Sequence, residues 1–305
     1  MYKQKKIQMR DELALHVHIW DQVASPKGVV QIVHGMAEHG ARYQTFAEAL
    51  NEAGFVVLAD DHRGFGQTAR NEEELGHLEP EVGFHDLVED QHELWDYIEA
   101  QYPNLPHFIF AHSMGSFVMR YYMTKYPLDG IVLAGSGLQP ALLLAVGQSL
   151  SGRGVRKNPF HRNKHLNKLA FWGFNHSFAD QHRFSWLSRD PETYLRYEKD
   201  PFCGPIIGTT GFFDNLFESI SHAQNKKDMK KIPADLPILL LTGSDDPVGH
   251  FGKDVPKLAV RLAEAGVEDV TYKIYEGGRH ELINETCRQE VFQDIINWFD
   301  QQLTK

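Results

Sequence analysis

The chain has 305 residues, is 42% hydrophobic and carries a formal net charge of −10. A chain of this length buries about three quarters of the surface that it exposes when unfolded, so it needs no disulfide or metal in order to fold. The acidic charge argues against nucleic acid as a partner. Its two cysteines, Cys203 and Cys287, stand far apart, which predicts reduced thiols and a cytoplasmic location. The basic start at 1–7 is not followed by the apolar core of a secretory signal, so it also predicts a cytoplasmic location.

Predicted strands and helices alternate along most of the chain. The predictions, in chain order, are an opening hairpin at 7–9 and 13–20, a strand at 28–33, a helix ending near 54, a strand at 55–59, a helix at 84–98, strands at 108–110, 130–134 and 238–241, a helix at 258–265, a strand at 270–274 and a final helix at 291–299. Such alternation is typical of the α/β class, in which a mostly parallel sheet carries helices on both faces.

The alternation lapses between 141 and 225, where aromatic residues are modestly enriched. These include Phe171, Trp172, Phe174, Phe184, Trp186, Phe212, Phe213 and Phe217. We interpret the segment as an inserted helical cap, which divides the chain into a first core part at 1–140, the cap at 141–225 and a second core part at 226–305. Most of the aromatic residues are expected to pack within the cap, and only a few to contact a ligand. The candidates for a mobile rim follow Pro140 and are Leu142, Leu143, Leu144 and Val146.

Ser113 stands where an apolar strand breaks into a turn of small residues and then a helix. The surrounding sequence is Phe-Ile-Phe-Ala-His-Ser-Met-Gly-Ser at 108–116. A serine hydroxyl is a weak nucleophile unless a strained turn exposes it and a base lies within reach. Ala111 occupies the first glycine position of the pattern Gly-x-Ser-x-Gly and adds only a methyl group there. The pattern alone is weak evidence, because short glycine patterns usually mark ordinary turns.

Two later strand ends carry an acid and a histidine. Asp245 and Asp246 follow the strand at 238–241, and His280 follows the last strand after a pair of glycines. The chain order Ser, Asp, His is that of the α/β-hydrolase triad, in which the histidine takes the serine proton and the acid orients the imidazole. Either aspartate is a candidate for the acid, and a turn with two solvated carboxylates is the alternative.

Together these segments resemble the monoacylglycerol lipase and lysophospholipase branch of the serine α/β-hydrolases. The resemblance rests on His-Gly-Met-Ala-Glu-His-Gly-Ala-Arg-Tyr at 34–43, on 61–68, on 111–115 and on the two late loops, and it is weaker between 141 and 225. It implies an α/β-hydrolase fold with a helical cap and a carboxylic ester hydrolase that works through an acyl-serine intermediate. It also favours Asp246 over Asp245, so the implied triad is Ser113, Asp246 and His280.

The resemblance further implies an oxyanion hole made of two backbone N–H groups. Met114 directly follows the nucleophile and supplies one donor, while Met36 follows the pair His34-Gly35 and supplies the other. Glu38 and Arg42 either pair to brace this loop or lie near the polar end of a glycerol-like substrate. Bracing is the stronger expectation.

The expected substrate is a small lipid-like ester such as a monoacylglycerol or a lysophospholipid. The candidates for contact with it are Leu143, Phe174 and Phe212, in addition to Glu38 and Arg42. An apolar cap rim is compatible with transient contact with a lipid surface. A peptidase or thioesterase with the same triad is the main alternative, and a non-catalytic binding module is disfavoured by the complete triad. A prolyl-type peptidase requires an acidic cluster for a free amino terminus, and none is evident in the cap.

Two other motifs do not point to a cofactor or a metal. His161 and His165 have the spacing of two zinc ligands on a helix, but the glutamate of a metalloprotease motif is absent and the neighbouring residues are basic. We interpret them as part of a solvated face. The glycine-rich segment at 63–66 matches neither a Walker loop nor a dinucleotide fingerprint, and it is interpreted as a tight turn.

Overall fold

The computed structural model describes residues 2–80, 82–180 and 182–305. The strands in these ranges are β1 (Tyr2–Gln8), β2 (Ala14–Trp20), β3 (Gly28–Val33), β4 (Phe55–Asp61), β5 (His107–His112), β6 (Gly130–Ala134), β7 (Ile238–Gly243) and β8 (Val270–Tyr275). The α-helices are α1 (Gln44–Glu52), α2 (Gly83–Gln101), α3 (Met114–Tyr122), α4 (Ala141–Val155), α5 (Lys164–Ala170), α6 (Pro191–Lys199), α7 (Thr210–Ala223), α8 (Lys226–Met229), α9 (Asp254–Ala265) and α10 (Arg288–Gln302). Short 3-10 helices span Gly40–Tyr43, Ser185–Leu187 and Leu282–Asn284. None of the helices within the described ranges is both long and apolar enough to cross a bilayer.

The eight strands form one sheet in the order β1-β2-β4-β3-β5-β6-β7-β8. β1 pairs antiparallel with β2, β2 pairs antiparallel with β4, and the other neighbours are parallel. The strands from β3 to β7 are buried along their whole length. This burial on both faces explains why they are largely continuous apolar runs rather than alternating patterns. The predicted α/β class with a mostly parallel sheet is confirmed.

Helices cover both faces of the sheet. On one face, α1 and α10 contribute the buried side chains Phe46, Leu50, Val291, Ile295 and Phe299. On the other face, α2, α3 and α9 contribute a larger cluster that includes Phe84, Leu87, Phe117, Val118, Val255, Leu258 and Leu262. This three-layer arrangement places the carboxyl ends of the parallel strands along one edge, where their loops meet.

Residues 141–225 contain α4 to α7 and pack in two different ways. Leu144, Leu166 and Phe217 join the same apolar cluster as α2 and α3. By contrast, the aromatic residues around Trp186 and Tyr197 form a cluster of their own above the carboxyl ends of the strands. The domain boundaries at 140 and 225 stay a prediction, since α7 packs directly on α3.

Candidate active site

Ser113 lies between β5 and α3 in a strained turn. Its backbone has φ 51° and ψ −118°, a conformation that side-chain-bearing residues rarely adopt. The turn brings α3 against the end of β3, where a Cβ atom on Gly115 would lie 2.4 Å from the Val33 carbonyl oxygen. Only glycine fits that position. Ala111, at the other small-residue position, is fully buried within β5.

His280 bridges Ser113 and Asp246. Its Nε2 lies 2.9 Å from Ser113 Oγ, and its Nδ1 lies 2.9 Å from Asp246 Oδ1. Asp246 is fully buried, and the same Oδ1 accepts a hydrogen bond from the Val248 amide at 2.9 Å. The structure thus brings together the three side chains of the predicted triad. Asp245 accepts from the Ser244 hydroxyl at 3.4 Å and is not bonded to His280.

Close backbone contact fixes the loops that carry Asp246 and His280. A Cβ atom on Gly243, at the end of β7, would lie 1.8 Å from the carbonyl oxygen of Gly278. The Asp245 amide also donates to that oxygen at 2.9 Å. The missing side chain at Gly243 therefore lets the two strand ends approach closely enough for the acid and the histidine to meet.

Two opposing effects set the pKa of His280. Burial favours the neutral imidazole, but the Asp246 carboxylate and its hydrogen bond outweigh burial and raise the pKa above 6.5. His112 packs 4.7 Å from His280, centroid to centroid. Burial, helped by the proximity of His280, lowers the pKa of His112 to about 4, so this second imidazole is neutral at physiological pH.

The two residues predicted as oxyanion donors both face the cavity beside Ser113. Met36 and Met114 line it, and neither backbone N–H donates to another residue among those that the structure describes. Two hydrogen bonds to Glu38 fix the loop that carries Met36. The Gly35 amide donates to Glu38 Oε1 at 2.6 Å, and the Tyr43 hydroxyl donates to the same oxygen at 3.0 Å. Both amides are therefore available to an oxygen on the substrate.

Apolar side chains form most of the cavity beside Ser113. The aliphatic and aromatic members are Met36, Met114, Phe117, Ala170, Phe171, Phe174, Trp186, Leu187, Tyr197, Leu216 and Val248. The cavity volume is about 110 Å³, below the range of about 300–1,000 Å³ that is usual for drug-sized ligands. The cavity is therefore too small to enclose a long acyl chain.

Only some of the residues predicted to contact the substrate line the cavity. Glu38 and Phe174 line the cavity, while Arg42, Leu143 and Phe212 do not. Leu143 and Phe212 lie outside this cavity, so their predicted contact with the substrate stays a prediction. Leu143 is 37% exposed on α4, and Phe212 is fully buried with its ring 5.7 Å from that of Phe65, because the first turn of α7 packs into the core.

Arg42 braces the site rather than facing the cavity. Its guanidinium donates to Glu38 Oε2 at 2.7 Å and also pairs with Glu281, and all three side chains are nearly buried. Of the two roles predicted for Glu38 and Arg42, the observed contacts fit bracing. Glu281 was missed from the sequence, although its position directly after His280 is a signal that could have singled it out.

Trp186 is a second residue whose role was missed. Its ring centroid lies 5.0 Å from that of His280, and its carbonyl oxygen accepts from the His280 amide at 3.3 Å. The sequence identified it only as one of several cap aromatics.

The groups of His, Cys, Asp and Glu that are close enough to hold a metal ion, within the described residues, include no side chain of the cavity.

The strand order and the position of Ser113 at the end of β5 define an α/β-hydrolase. The chain belongs to the family described as serine aminopeptidase, S33, whose model matches residues 24–287. It is 28% identical over 290 residues to the monoacylglycerol lipase of Mycolicibacterium smegmatis, covering 92% of this chain and 90% of that protein. The predicted relationship to monoacylglycerol lipases is confirmed.

Solved structures agree with this relationship. A lipase in its open form superposes with a TM-score of 0.91 at 28% identity, covering 100% of both chains. A thermostable carboxyl esterase from Bacillus coagulans, in complex with glycerol, superposes with a TM-score of 0.89 at 29% identity, covering 99% of both chains. The predicted α/β-hydrolase fold is confirmed.

Proposed function

We propose that this chain hydrolyses lipid-like carboxylic esters, with monoacylglycerols or lysophospholipids as the substrate class, through an acyl-serine intermediate. The observation that carries the proposal is the chain of hydrogen bonds from Ser113 through His280 to Asp246, opening into an apolar cavity. A nucleophile, a base and an orienting acid in this order are the parts that acyl transfer requires.

In the first half of the reaction, Ser113 Oγ attacks the ester carbonyl while His280 Nε2 takes the hydroxyl proton. Asp246 keeps the imidazole in the tautomer that presents Nε2 and stabilises the imidazolium. The amides of Met36 and Met114 donate to the oxyanion of the tetrahedral intermediate. When the intermediate collapses, the C–O bond to the alcohol breaks and the alkoxide takes the proton from His280.

In the second half, a water molecule repeats the sequence on the acyl-serine. His280 takes a proton from the water as its oxygen attacks the acyl carbon, and then returns a proton to Ser113 Oγ as the fatty acid leaves. No cofactor is required for either half.

The cavity supports an acyl ester over a peptide with a free amino terminus. Glu38 and Glu281 are the carboxylates that line it, and Arg42 pairs with both. A substrate ammonium group would compete with a buried guanidinium for either acid. The names of the relatives, a monoacylglycerol lipase and a carboxyl esterase with bound glycerol, support the same substrate class.

The proposal includes transient contact with a lipid surface through α4. Leu142, Val146 and Leu150 lie one turn apart and are 77%, 45% and 46% exposed. Such a stripe is typical of a surface that meets an apolar phase.

We also place the protein in the cytoplasm, where the free thiols Cys203 and Cys287 stay reduced.

A substrate panel tests the proposal. p-Nitrophenyl esters with acyl chains of two to sixteen carbons are assayed beside 1-oleoylglycerol, lysophosphatidylcholine and an aminoacyl p-nitroanilide. We expect kcat/KM to rise with chain length until the acyl chain fills the cavity, with turnover of at least one of the two lipids and none of the anilide. A preference for acetate over all longer esters would leave a small-ester esterase, and turnover of the anilide alone would make the protein a peptidase.

A further inference from the structure

Two histidines and a glutamate from different helices meet on the face where α2 packs against α7. His85 lies in the first turn of α2, and Glu218 and His222 lie one turn apart on α7. Residues four apart share a helix face, so the α7 pair points toward the same neighbour. Their side chains are 40%, 35% and 32% exposed, which leaves them reachable from solvent. None of them lines the cavity beside Ser113.

The distances among these groups suit a bridging ion better than hydrogen bonds. His85 Nε2 and His222 Nε2 each lie 3.8 Å from the same carboxylate oxygen, Glu218 Oε1. This separation is too long for a hydrogen bond. Zinc bonds of about 2.0–2.2 Å at a tetrahedral angle put ligand atoms about 3.4 Å apart, so each histidine nitrogen needs to approach Glu218 Oε1 by only about 0.4 Å. All three ligand atoms lie within 4.8 Å of one another.

Aromatic packing holds the two imidazoles in place. The His222 ring stacks on Phe84, with centroids 5.8 Å apart and planes 16° apart, and its centroid lies 4.8 Å from that of Tyr121. His85 contacts the same Tyr121 ring edge-on at 5.9 Å. Phe84 is buried in the core, so the rings are anchored to the body of the protein rather than free on the surface. Such pre-positioning lowers the entropy lost when the ligands close on an ion.

The other nitrogen of His222 lies near a carboxylate but is not hydrogen-bonded to it. His222 Nδ1 is buried, has no hydrogen-bond partner among the described residues, and lies 3.6 Å from Asp228 Oδ2. Metal-bound histidines almost always donate their second N–H to a carboxylate or carbonyl, which fixes the tautomer that binds the metal. Asp228 is itself held by Lys231 at 2.6 Å.

We propose that His85, Glu218 and His222 bind a divalent transition metal, with Zn²⁺ as the best fit and water completing the coordination. Imidazole nitrogens favour zinc and its neighbours over Mg²⁺ or Ca²⁺, which prefer all-oxygen ligands. The bound ion would join α7 of the segment 141–225 to α2 of the core. This site is separate from the proposed ester-hydrolase site and does not depend on it.

Two other groups of potential ligands are less suitable. In the buried group His16, His18 and Asp61, the carboxylate already accepts hydrogen bonds from the His18 ring and from the Gly40 and Gln67 amides. In the group His39, Asp200 and Cys203, the first two are hydrogen-bonded at 2.9 Å. There, burial raises the pKa of the Cys203 thiol above its ordinary range, which keeps it protonated.

Calorimetric titration of the metal-stripped full chain with ZnCl₂ tests the proposal, and Co²⁺ absorption provides a second signal. We expect one ion per chain and a melting temperature that rises with Zn²⁺. His85→Gln and His222→Gln should each weaken binding at least tenfold. Asp228→Asn should weaken it by about 10–100-fold, as loss of an outer carboxylate does elsewhere. His165→Gln is the matched control, since His165 is an exposed histidine on α5, and it should leave binding unchanged.

The readout does not involve ester hydrolysis, so its result is independent of the proposed function. The metal-free variants should melt near the wild-type temperature because the substituted side chains are partly exposed. If one histidine variant does not fold, Glu218→Gln replaces it, and this variant should also bind Zn²⁺ more weakly than the wild type. Zn²⁺ affinity that is unchanged in both histidine variants, or that is lost in His165→Gln, would overturn the site. The absence of any heat or melting shift in the wild type would do the same.

Discussion

Arg42 forms a bidentate ion pair with Glu281, the residue that follows His280. Nη1 lies 2.8 Å from Oε1 and Nη2 lies 2.7 Å from Oε2, while Nη1 also donates to Glu38. Burial alone would raise the pKa of Glu281, but the Arg42 guanidinium outweighs it and holds the pKa below its ordinary range. The pair therefore ties the loop that carries Met36 to the loop that carries the proposed base.

Replacing Glu281 tests whether this tie positions the catalytic groups. Glu281→Gln removes the bidentate partner of Arg42, which keeps its bond to Glu38, so the free energy of unfolding should fall by at most about 3–5 kcal/mol. The kcat for an ester substrate should fall by about 10²-fold, the effect of a misplacement of about 1 Å, with a smaller change in KM. Urea denaturation and steady-state kinetics measure the two effects.

Arg63 and Asp90 offer the matched control, because they form a similar pair away from the cavity. Two Arg63 nitrogens each lie 2.6 Å from an oxygen of the buried Asp90. Asp90→Asn should destabilise the protein comparably and leave kcat per folded molecule unchanged. Equal losses of kcat in both variants would mean that the Glu281 pair only stabilises the fold.

The two adjacent aspartates should differ in their effects. Asp246→Asn should lower kcat by about 10⁴-fold, because an amide neither holds the same imidazole tautomer nor stabilises the imidazolium. Asp245→Asn should change kcat little, since its side chain is not bonded to His280. Steady-state assays of both variants decide between them, and the reverse result would make Asp245 the acid.

The pH profile of kcat/KM should report the titration of His280. The base must be neutral to accept the Ser113 proton, so activity falls as the pH falls through the pKa of His280. Since Asp246 raises that pKa, the midpoint should lie above 6.5 in the wild type. In Asp246→Asn the midpoint should move to lower pH. An unchanged midpoint would show that the acid limb belongs to another group.

Alanine variants of Phe174 and Phe212 should show different effects, because Phe174 is proposed to contact the substrate and Phe212 packs in the core. Phe174 lines the cavity, so Phe174→Ala should depress kcat/KM for long esters more than for acetate, with each lost methylene contact contributing at most about 0.8 kcal/mol. Phe212 is fully buried outside the cavity, so Phe212→Ala should cost about 3–5 kcal/mol of stability and affect both esters equally. If Phe174→Ala lowers kcat/KM equally for acetate and for long esters, Phe174 does not contact the acyl chain.

The strand core could be predicted closely because burial on both faces leaves a continuous apolar run. β3 and β6 begin and end at the predicted residues. β4 was predicted to end at 59 but continues through Asp60 and Asp61, two buried acids. Asp61 accepts from the Gly40 and Gln67 amides, and such compensation of a buried charge by distant groups has no local signal in the sequence.

The inner surface of the cap and the bracing of the site could not be predicted in the same way. In α4, Leu142 faces solvent while Leu144 is buried, so consecutive leucines give no periodicity that identifies the inner face. Arg42 and Glu281 are 239 residues apart, and nothing local links them. Chain order and glycine spacing predicted Ser113, His280 and two candidate aspartates, and the family resemblance was needed to choose Asp246. Contacts between distant loops needed the fold.

Turnover of a monoacylglycerol by the wild type and by Ser113→Ala tests the central claim most directly. The side chain is small and its loss leaves the turn intact, so both proteins should fold with the same melting temperature. We expect the wild type to release oleate from 1-oleoylglycerol and the variant to lose kcat by a factor on the order of 10⁶. A folded Ser113→Ala protein that keeps a substantial part of the wild-type rate would contradict the account.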